Sequence, residues 1–289
     1  MMQLIDGRTL AKAIQTNLAV RVAHLRGSRP GLAIILVGDD PASHTYVAKK
    51  EQACKEVGMT FEKFLYPTDT STQAIVEKVR ELNGRADIHG ILVQLPLPAQ
   101  NEQVVIDAID SHKDVDGFHR VNQERLEKGE PCLAPATALG IMKLIESTGV
   151  DVRGLNAGVV GSDLFTRPLG FLLSERGVTT ERIDPNASNL SELACQKDIL
   201  ITVVGRPGLI QADAIKDGAI VTDVGTTRVN GNLLGDVDPH VINQKTGWLT
   251  PVPGGVGPMT VAMLLVNVLK AHQLGPRLKS ASPGAGDQS

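Results

Sequence analysis

Asn156-Ala-Gly-Val-Val-Gly161 is a short apolar run ending in glycine, the pattern of a buried strand that feeds a tight turn. The residues after it continue the theme. A helix is expected over 168–176, a strand over 178–183, a helix over 189–196, and strands over 198–204 and 218–224. Such alternation predicts an α/β domain doubly wound about a parallel sheet, an arrangement that binds nucleotides. Upstream, the Pro/Ala-rich segment 131–138 and a helix over 139–147 lead into it. An earlier α/β series precedes both. Residues 32–37 (LAIILV) form a buried-strand run, and Pro41 opens a helix reaching about Val57, stopped by Gly58. Ser71 caps a second helix that carries Ile75, Val76, Val79 and Leu82 at helical spacing and ends at Asn83-Gly84. The apolar run 90–95 halts at Pro96 and Pro98, and a helix follows near 101–110. Beyond the Pro/Gly-rich stretch 251–258, Met259 to Ala271 reads as one helix, late enough to pack back on the first series. Residues 275–289 have the Gly/Ser/Pro composition of a disordered tail.

A length of 289 residues suits two domains. Lys+Arg is 29 and Asp+Glu 32, a formal charge of −3, so no basic excess exists to neutralise nucleic-acid phosphates. With 42% hydrophobic residues the chain lies far from the composition of disorder. Cys54, Cys132 and Cys195 are widely separated and form no CxxC, against a disulfide framework or a cysteine zinc site. No run has the length of a membrane span, and the start MMQLIDGRTL has neither signal- nor transit-peptide character. The expected location is the cytoplasm.

Chemistry gathers at a few places. On the helix opened by Pro41, Ser43, Tyr46 and Lys50 share one stripe at i, i+3 and i+7. A lysine on an amphipathic helix is by default a solvated cation. Its company of a tyrosine and a serine, just past the carboxyl end of a strand, also suits a ligand site. Gln94 interrupts an apolar strand near its carboxyl end, either as a satisfied buried amide or as an amide offered to a catalytic neighbour. Asp114-Val-Asp116-Gly117 starts like a calcium loop, but the twelfth residue from Asp114 is Arg125 rather than glutamate. No metal is expected, and Asp116 is preferred as the anchor of a donor-rich ligand. Gly254-Gly-Val-Gly-Pro258 opens the last helix, as a structural turn or as exposed amides for an anionic or carbonyl group. The dinucleotide signal is partial. Gly158-Val-Val-Gly161 lacks the full GxGxxG, and Asp184, 23 residues after Gly161, is either a ribose ligand or a turn-initiating aspartate before Pro185.

Taken together, these segments resemble the bifunctional methylenetetrahydrofolate dehydrogenase/methenyltetrahydrofolate cyclohydrolase family. The resemblance covers about residues 3–272. It is carried by Val37-Gly-Asp-Asp-Pro-Ala-Ser43, Tyr46-Val-Ala-Lys-Lys50, Gly90-Ile-Leu-Val-Gln-Leu-Pro-Leu-Pro98, Lys113-Asp-Val-Asp-Gly-Phe-His119, Thr222-Asp-Val-Gly225 and Thr250-Pro-Val-Pro-Gly-Gly-Val-Gly-Pro-Met-Thr260. It implies a folate-binding α/β catalytic domain (1–136 plus 255–274) completed by the C-terminal helix. It also implies a Rossmann-like NAD(P)-binding domain (137–254), with the active site in the cleft between them. The implied reactions are oxidation of 5,10-methylenetetrahydrofolate with NADP or NAD and hydrolysis of the methenyl product to 10-formyltetrahydrofolate, carried out by a homodimer. Within the resemblance, Lys50 is the catalytic lysine, Gln94 its tuning partner and Asp116 the pterin anchor. Tyr46 lies against the substrate's aminobenzoate, with Ser43, Gly255 and Pro258 as further substrate contacts. The cofactor contacts are Thr137, Gly161, Ser162, Asp163, Asp184, Gly205 and Thr226.

The cofactor domain departs from the family pattern. The stretch Gly161-Ser-Asp-Leu-Phe-Thr-Arg-Pro168 is one residue shorter, with Thr166 where glycine is expected, and Ala136-Thr-Ala138 stands for the usual Cys-Thr-Pro. Asp184-Pro-Asn-Ala187 replaces the usual basic and hydroxyl residues, leaving no Arg or Lys there for a 2′-phosphate. Two expectations follow: a bifunctional enzyme that prefers NAD, or a cyclohydrolase or folate-binding protein whose dinucleotide site is weakened or lost.

Overall fold

The computed structural model describes residues 1–278. The chain forms β1 (Gln3–Leu4), α1 (Gly7–Ala23), β2 (Gly31–Val37), α2 (Pro41–Glu56), β3 (Thr60–Tyr66), α3 (Thr72–Gly84), β4 (Gly90–Val93), α4 (Glu102–Asp107) and α5 (Arg120–Glu127). It continues with α6 (Ala136–Ser147), β5 (Asn156–Gly161), α7 (Asp163–Ser174), β6 (Thr179–Ile183), α8 (Leu190–Ala194), β7 (Ile199–Val203) and β8 (Ile220–Asp223). The hairpin β9 (Thr227–Val229) and β10 (Asn232–Leu234), then β11 (Trp248–Leu249) and α9 (Val256–Leu278), complete it.

The chain divides into two compact units. One holds Met1–Ile14 and Pro135–Met263, the other Gln15–Ala134 and the chain from Leu264. This differs from the division at 136 and 255 expected from the sequence. The first residues join the later unit because β1 pairs in parallel with β11, Gln3 opposite Trp248 and Leu4 opposite Leu249.

In the unit of residues 15–134, β2 lies between β3 and β4, all parallel. Every residue of β2 is buried, as expected of a strand covered on both faces. Each large aliphatic side chain so placed contributes roughly 1.5–3 kcal/mol. Ile75, Val76, Val79 and Leu82 of α3 pack with Ala33, Ile35 and Val37 of β2 in one core. The part of α9 from Leu264 belongs to this same unit. Asn267 Nδ2 donates to the carbonyls of Val115 and Ala134, 2.9 Å each, and Lys270 Nζ donates to Cys132 O at 2.7 Å. Gly90 leaves room for this packing, since a Cβ there would stand 2.7 Å from Val115 and 3.1 Å from Val268.

The other unit carries a six-stranded sheet, β1-β11-β8-β7-β5-β6, parallel throughout, with the β9-β10 hairpin outside it. This is the doubly wound arrangement expected from 156–161 onward.

Several bounds move. The helix expected over 168–176 begins at Asp163, because Ser162 takes the extended N-cap conformation and Pro168 forfeits only one intrahelical bond. The stretch 161–168 is therefore mostly helix rather than loop. The strand over 90–95 stops at Val93, although Gln94 N still donates to Ile35 O at 2.9 Å. Residues 275–278, expected in the tail, continue α9, since extending a formed helix fixes few new torsions per added bond. The rest of the expected tail, 279–289, lies outside the described residues.

Candidate active site

α2 starts where β2 ends. Its N-cap Asp40 accepts from the amides of Ala42 and Ser43 and from Ser43 Oγ at 2.8 Å, and Pro41 occupies the first turn. Ser43 is thus buried with its hydroxyl proton given to the cap. One turn on, Tyr46 is half-buried, with Lys49 Nζ 5.8 Å from its ring centre. Lys50 follows on the same stripe and is only 7% exposed. Val47 and Cys54, beside that stripe, are buried and seat the helix on the sheet.

Lys50 Nζ donates to Gln94 Oε1 at 2.8 Å. Gln94 Nε2 donates in turn to Leu95 O at 2.8 Å, which fixes the orientation of the amide and presents its oxygen to the lysine. Burial lowers the Lys50 pKa from the usual lysine value, and the charge of Asp116 opposes that shift. Burial likewise pushes Asp116 up to about 6, with Lys50 drawing it down and Asp114 pushing it further up. Asp116 accepts no hydrogen bond among the described residues, and it lies with Ile91, Val93, Leu95, Ile106, Ile109 and Phe118 around one small pocket.

Its loop is held from below by Asp114. That buried carboxylate accepts from Gly117 N at 3.1 Å, His119 N at 2.8 Å and Asn122 Nδ2 at 3.0 Å. Lys50, Gln94 and Asp116, separate in sequence, are thereby gathered in one unit: a buried amine, its fixed acceptor and an unsatisfied carboxylate.

Gly255 and Pro258 belong to the other unit. Gly255 is buried and gives its N–H to Pro251 O at 2.7 Å. A Cβ on it would stand 2.6 Å from Thr250 Cβ, so close packing by itself accounts for that glycine. Pro258 lies in the first turn of α9.

The expected cofactor contacts cluster at the carboxyl ends of the six-stranded sheet. Gly161 ends β5, and a Cβ there would stand 2.5 Å from Val203 Cγ1. The glycine is thus needed for close packing against β7. Ser162 caps α7 through its backbone alone, with no side-chain cap bond. Asp163, in the first turn of α7, lies 3.3 Å from Arg182 Nε, which also donates to Gly161 O at 2.9 Å. Asp184 follows β6 and accepts from Asn186 N at 2.9 Å, the turn-initiating role. Gly205 has φ +79°, and its carbonyl accepts from Thr227 Oγ1 at 2.9 Å, next to the exposed Thr226. Thr137, in the first turn of α6, pairs with Thr260, the two hydroxyls 3.3 Å apart. The amides opening α7, the glycine turn and the acidic residue after the second strand fit a dinucleotide.

Two arrangements on this face are set by folding, although the segments that supply Asp223 and Arg206, 222–225 and 205–208, resemble the family pattern in sequence. Asp236 is fully buried and accepts from Thr202 Oγ1, Val204 N and Arg206 N at 2.8, 2.8 and 2.7 Å. Asp223, pushed up to about 7 mainly by burial, accepts from the amides of Gly225, Asp236 and Val237. This carboxylate pair fixes the turns after β7 and β8. The second is that of Arg206, whose guanidinium donates to Asn186 Oδ1 at 3.1 Å and to Pro185 O. The cation missing from 184–187 in the sequence arrives there from the turn after a different strand.

Comparison with known proteins agrees with both units. Residues 5–116 match the catalytic domain of tetrahydrofolate dehydrogenase/cyclohydrolase, and residues 135–275 match its NAD(P)-binding domain. The chain belongs to the tetrahydrofolate dehydrogenase/cyclohydrolase family. One curated relative, the bifunctional protein FolD of Cupriavidus necator, is 46% identical over 276 residues, covering 94% of this chain and 98% of its own. The crystal structure of the bifunctional enzyme FolD from Campylobacter jejuni superposes with a TM-score of 0.91 at 38% identity, covering 94% of this chain and 99% of that one. The Trypanosoma brucei methylenetetrahydrofolate dehydrogenase-cyclohydrolase, solved with NADP cofactor and an inhibitor, gives a TM-score of 0.91 at 34% identity, covering 96% and 99%. The family match spans both halves of the chain, including the stretch 161–168.

Proposed function

We propose that this protein oxidises 5,10-methylenetetrahydrofolate to the methenyl form with NAD(P)+ and hydrolyses that product to 10-formyltetrahydrofolate, with Lys50, Gln94 and Asp116 as the working side chains. The observation that carries this is the buried Lys50 Nζ held 2.8 Å from Gln94 Oε1. Desolvation favours the neutral amine, the form able to take a proton. The sequence match to both family domains and the NADP in the T. brucei relative support the cofactor assignment.

Asp116 accepts paired hydrogen bonds from the aminopyrimidine edge of the pterin, which its lack of a protein donor leaves open. Tyr46 lies against the aminobenzoate. A nicotinamide dinucleotide held by the turn after β5, the start of α7 and the loop after β6 would supply the hydride acceptor for the methylene carbon, and the folate would then carry a cationic methenyl bridge. Lys50 Nζ then takes a proton from the water whose oxygen bonds to the methenyl carbon. As the bond from that carbon to N5 breaks, Lys50 returns a proton to N5, and the oxygen keeps the carbon as a formyl group on N10. A proton is released overall. Gln94 holds the amine in line for both transfers.

The cyclohydrolase-only alternative would gain from the Asp163 charge at the head of α7. Arg182 offsets that charge at 3.3 Å. A homodimer in the cytoplasm goes with the bifunctional reading, and sedimentation equilibrium checks the dimer. No helix of the described residues is long and apolar enough to cross a membrane. The deciding experiment measures both activities in Lys50→Met. Loss of methenyl hydrolysis with retained folate binding is expected, and wild-type hydrolysis would overturn the assignment.

A further inference from the structure

We propose that Arg206 reads the 2′ position of the adenine-side ribose of the bound dinucleotide and that the group it selects there is a phosphate monoester. The inference rests on the dinucleotide-binding reading above and names which of the two cofactors that site takes.

The strand order β6-β5-β7 puts the turn after β7 and the loop after β6 on opposite sides of β5, which feeds the glycine turn. Val160 is in register with Ile183, so Asp184 and its loop stand level with Gly161 at the carboxyl edge of the sheet. In doubly wound folds the diphosphate sits at the first helix N-terminus, and the adenine-side ribose lies against the residue that ends the second strand. Here those places are Ser162-Asp163 and the loop 184–187.

Arg206 reaches that second place from the turn after β7. Its own N–H is fixed by the buried Asp236 carboxylate at 2.7 Å, so the root of the side chain is rigid. Its tip is fixed on Asn186 Oδ1 and Pro185 O. Two of the five guanidinium N–H donors serve these neutral acceptors, and the others are left for an incoming group. No carboxylate accepts from Arg206 among the described residues. The neighbouring cation, Arg182, is already matched with Asp163 and Gly161 O. The acid that would draw a free ribose diol, Asp184, turns Oδ1 to the Asn186 amide. An anchored guanidinium with its charge unmatched, at the 2′ position, fits a dianion in a planar, two-pronged geometry that a diol does not need.

The test compares 2′,5′-ADP with 5′-AMP, which differ only in the 2′-phosphate, by calorimetric titration of the full chain, alongside NADP+ and NAD+. Wild-type protein is expected to bind 2′,5′-ADP at least about 10-fold tighter than 5′-AMP. Arg206→Ala is expected to remove that preference while leaving 5′-AMP affinity within about 3-fold, and Arg206→Lys to keep part of it. Asp184→Ser, which leaves Arg206 in place, is expected to strengthen 2′,5′-ADP binding. Equal losses for both probes in Arg206→Ala make the side chain a mere tether and overturn the proposal. Wild-type binding of 5′-AMP as tight as 2′,5′-ADP also overturns it. If neither NADP+ nor NAD+ binds, the dinucleotide reading itself fails, and the proposal with it.

Discussion

Lys50 Nζ and Gln94 Oε1 are joined at 2.8 Å across 44 positions of sequence, one on a helix that follows β2 and the other just past β4. β2 and β4 are neighbours in the sheet, so the two side chains meet at a common carboxyl edge. Replacing Gln94 with leucine leaves a buried amine without its acceptor. Cyclohydrolase kcat should fall about 10- to 100-fold in Gln94→Leu and about 10²- to 10⁴-fold in Lys50→Met. In Gln94→Leu the inflection of the rate profile should also move to lower pH, since the lysine loses an interaction that steadies its charged form. The absorbance decay of the methenyl substrate across pH reads both. An unchanged profile in Gln94→Leu would remove the tuning role.

Asp116 supplies a pH dependence of its own. With its pKa at about 6, the carboxylate is mostly ionised at neutral pH and protonated below. Folate kcat/KM should therefore fall as pH drops through about 6, and Asp116→Asn should flatten that limb while raising KM. The stability effect has the opposite sense. The folded pKa lies above the unfolded value of 3.8, so the folded state holds a proton that the unfolded chain gives up between the two. The contribution to stability is full below about 3.8 and lost as pH rises through about 6. Asp116→Asn should stabilise the protein at pH 8 by about 1–3 kcal/mol, and by much less at pH 4. Urea melts at the two pH values check this, and an equal gain at both would contradict it.

Asn267 anchors the Asp116 loop. Its amide holds Val115 O, one residue from Asp116, and Ala134 O, both at 2.9 Å in a site 1% exposed. Asn267→Leu keeps the volume but strands two buried carbonyls. A loss of about 2–4 kcal/mol in chemical denaturation is expected, with folate KM raised in the protein that remains folded. Wild-type stability would show that water replaces the amide.

Gly225 tests the buried carboxylates on the cofactor side. A Cβ there would stand 2.3 Å from Asp236 Cγ, so Gly225→Ala displaces the carboxylate that holds Val204 N and Arg206 N. About 1–3 kcal/mol of destabilisation is expected. Dinucleotide affinity should weaken more than folate affinity, a contrast that paired titrations measure.

Much of the fold was legible because its elements bury themselves by local pattern. Residues 32–37 and 156–161 are apolar runs that became fully or largely buried strands, and α3 buries the four positions its spacing marks. The elements that sequence reading passed over lack such a pattern. β3 borders the sheet, with none of its seven residues buried. α5 is short and polar, burying only Asn122 and Leu126. β9 and β10, three residues each, form a hairpin in which no strand residue is buried. Neither a period of two nor one of 3.6 can emerge from so few buried positions.

The sequence by itself determined the two α/β series, the cap that starts α2, and which residue types stand at the ends of strands. Those are local properties, set by hydrophobic period, capping and glycine placement. Only the tertiary structure decided the charges. It buried Lys50 and placed Asp116 within its field, shifting both, because desolvation depends on what folds over a group rather than on its neighbours in the chain. It also brought Arg206 to a loop that has no cation of its own, across the end of an intervening strand. Hydrogen bonds act between atoms that folding brings together, and no count of residues 184–187 contains a side chain delivered from 206.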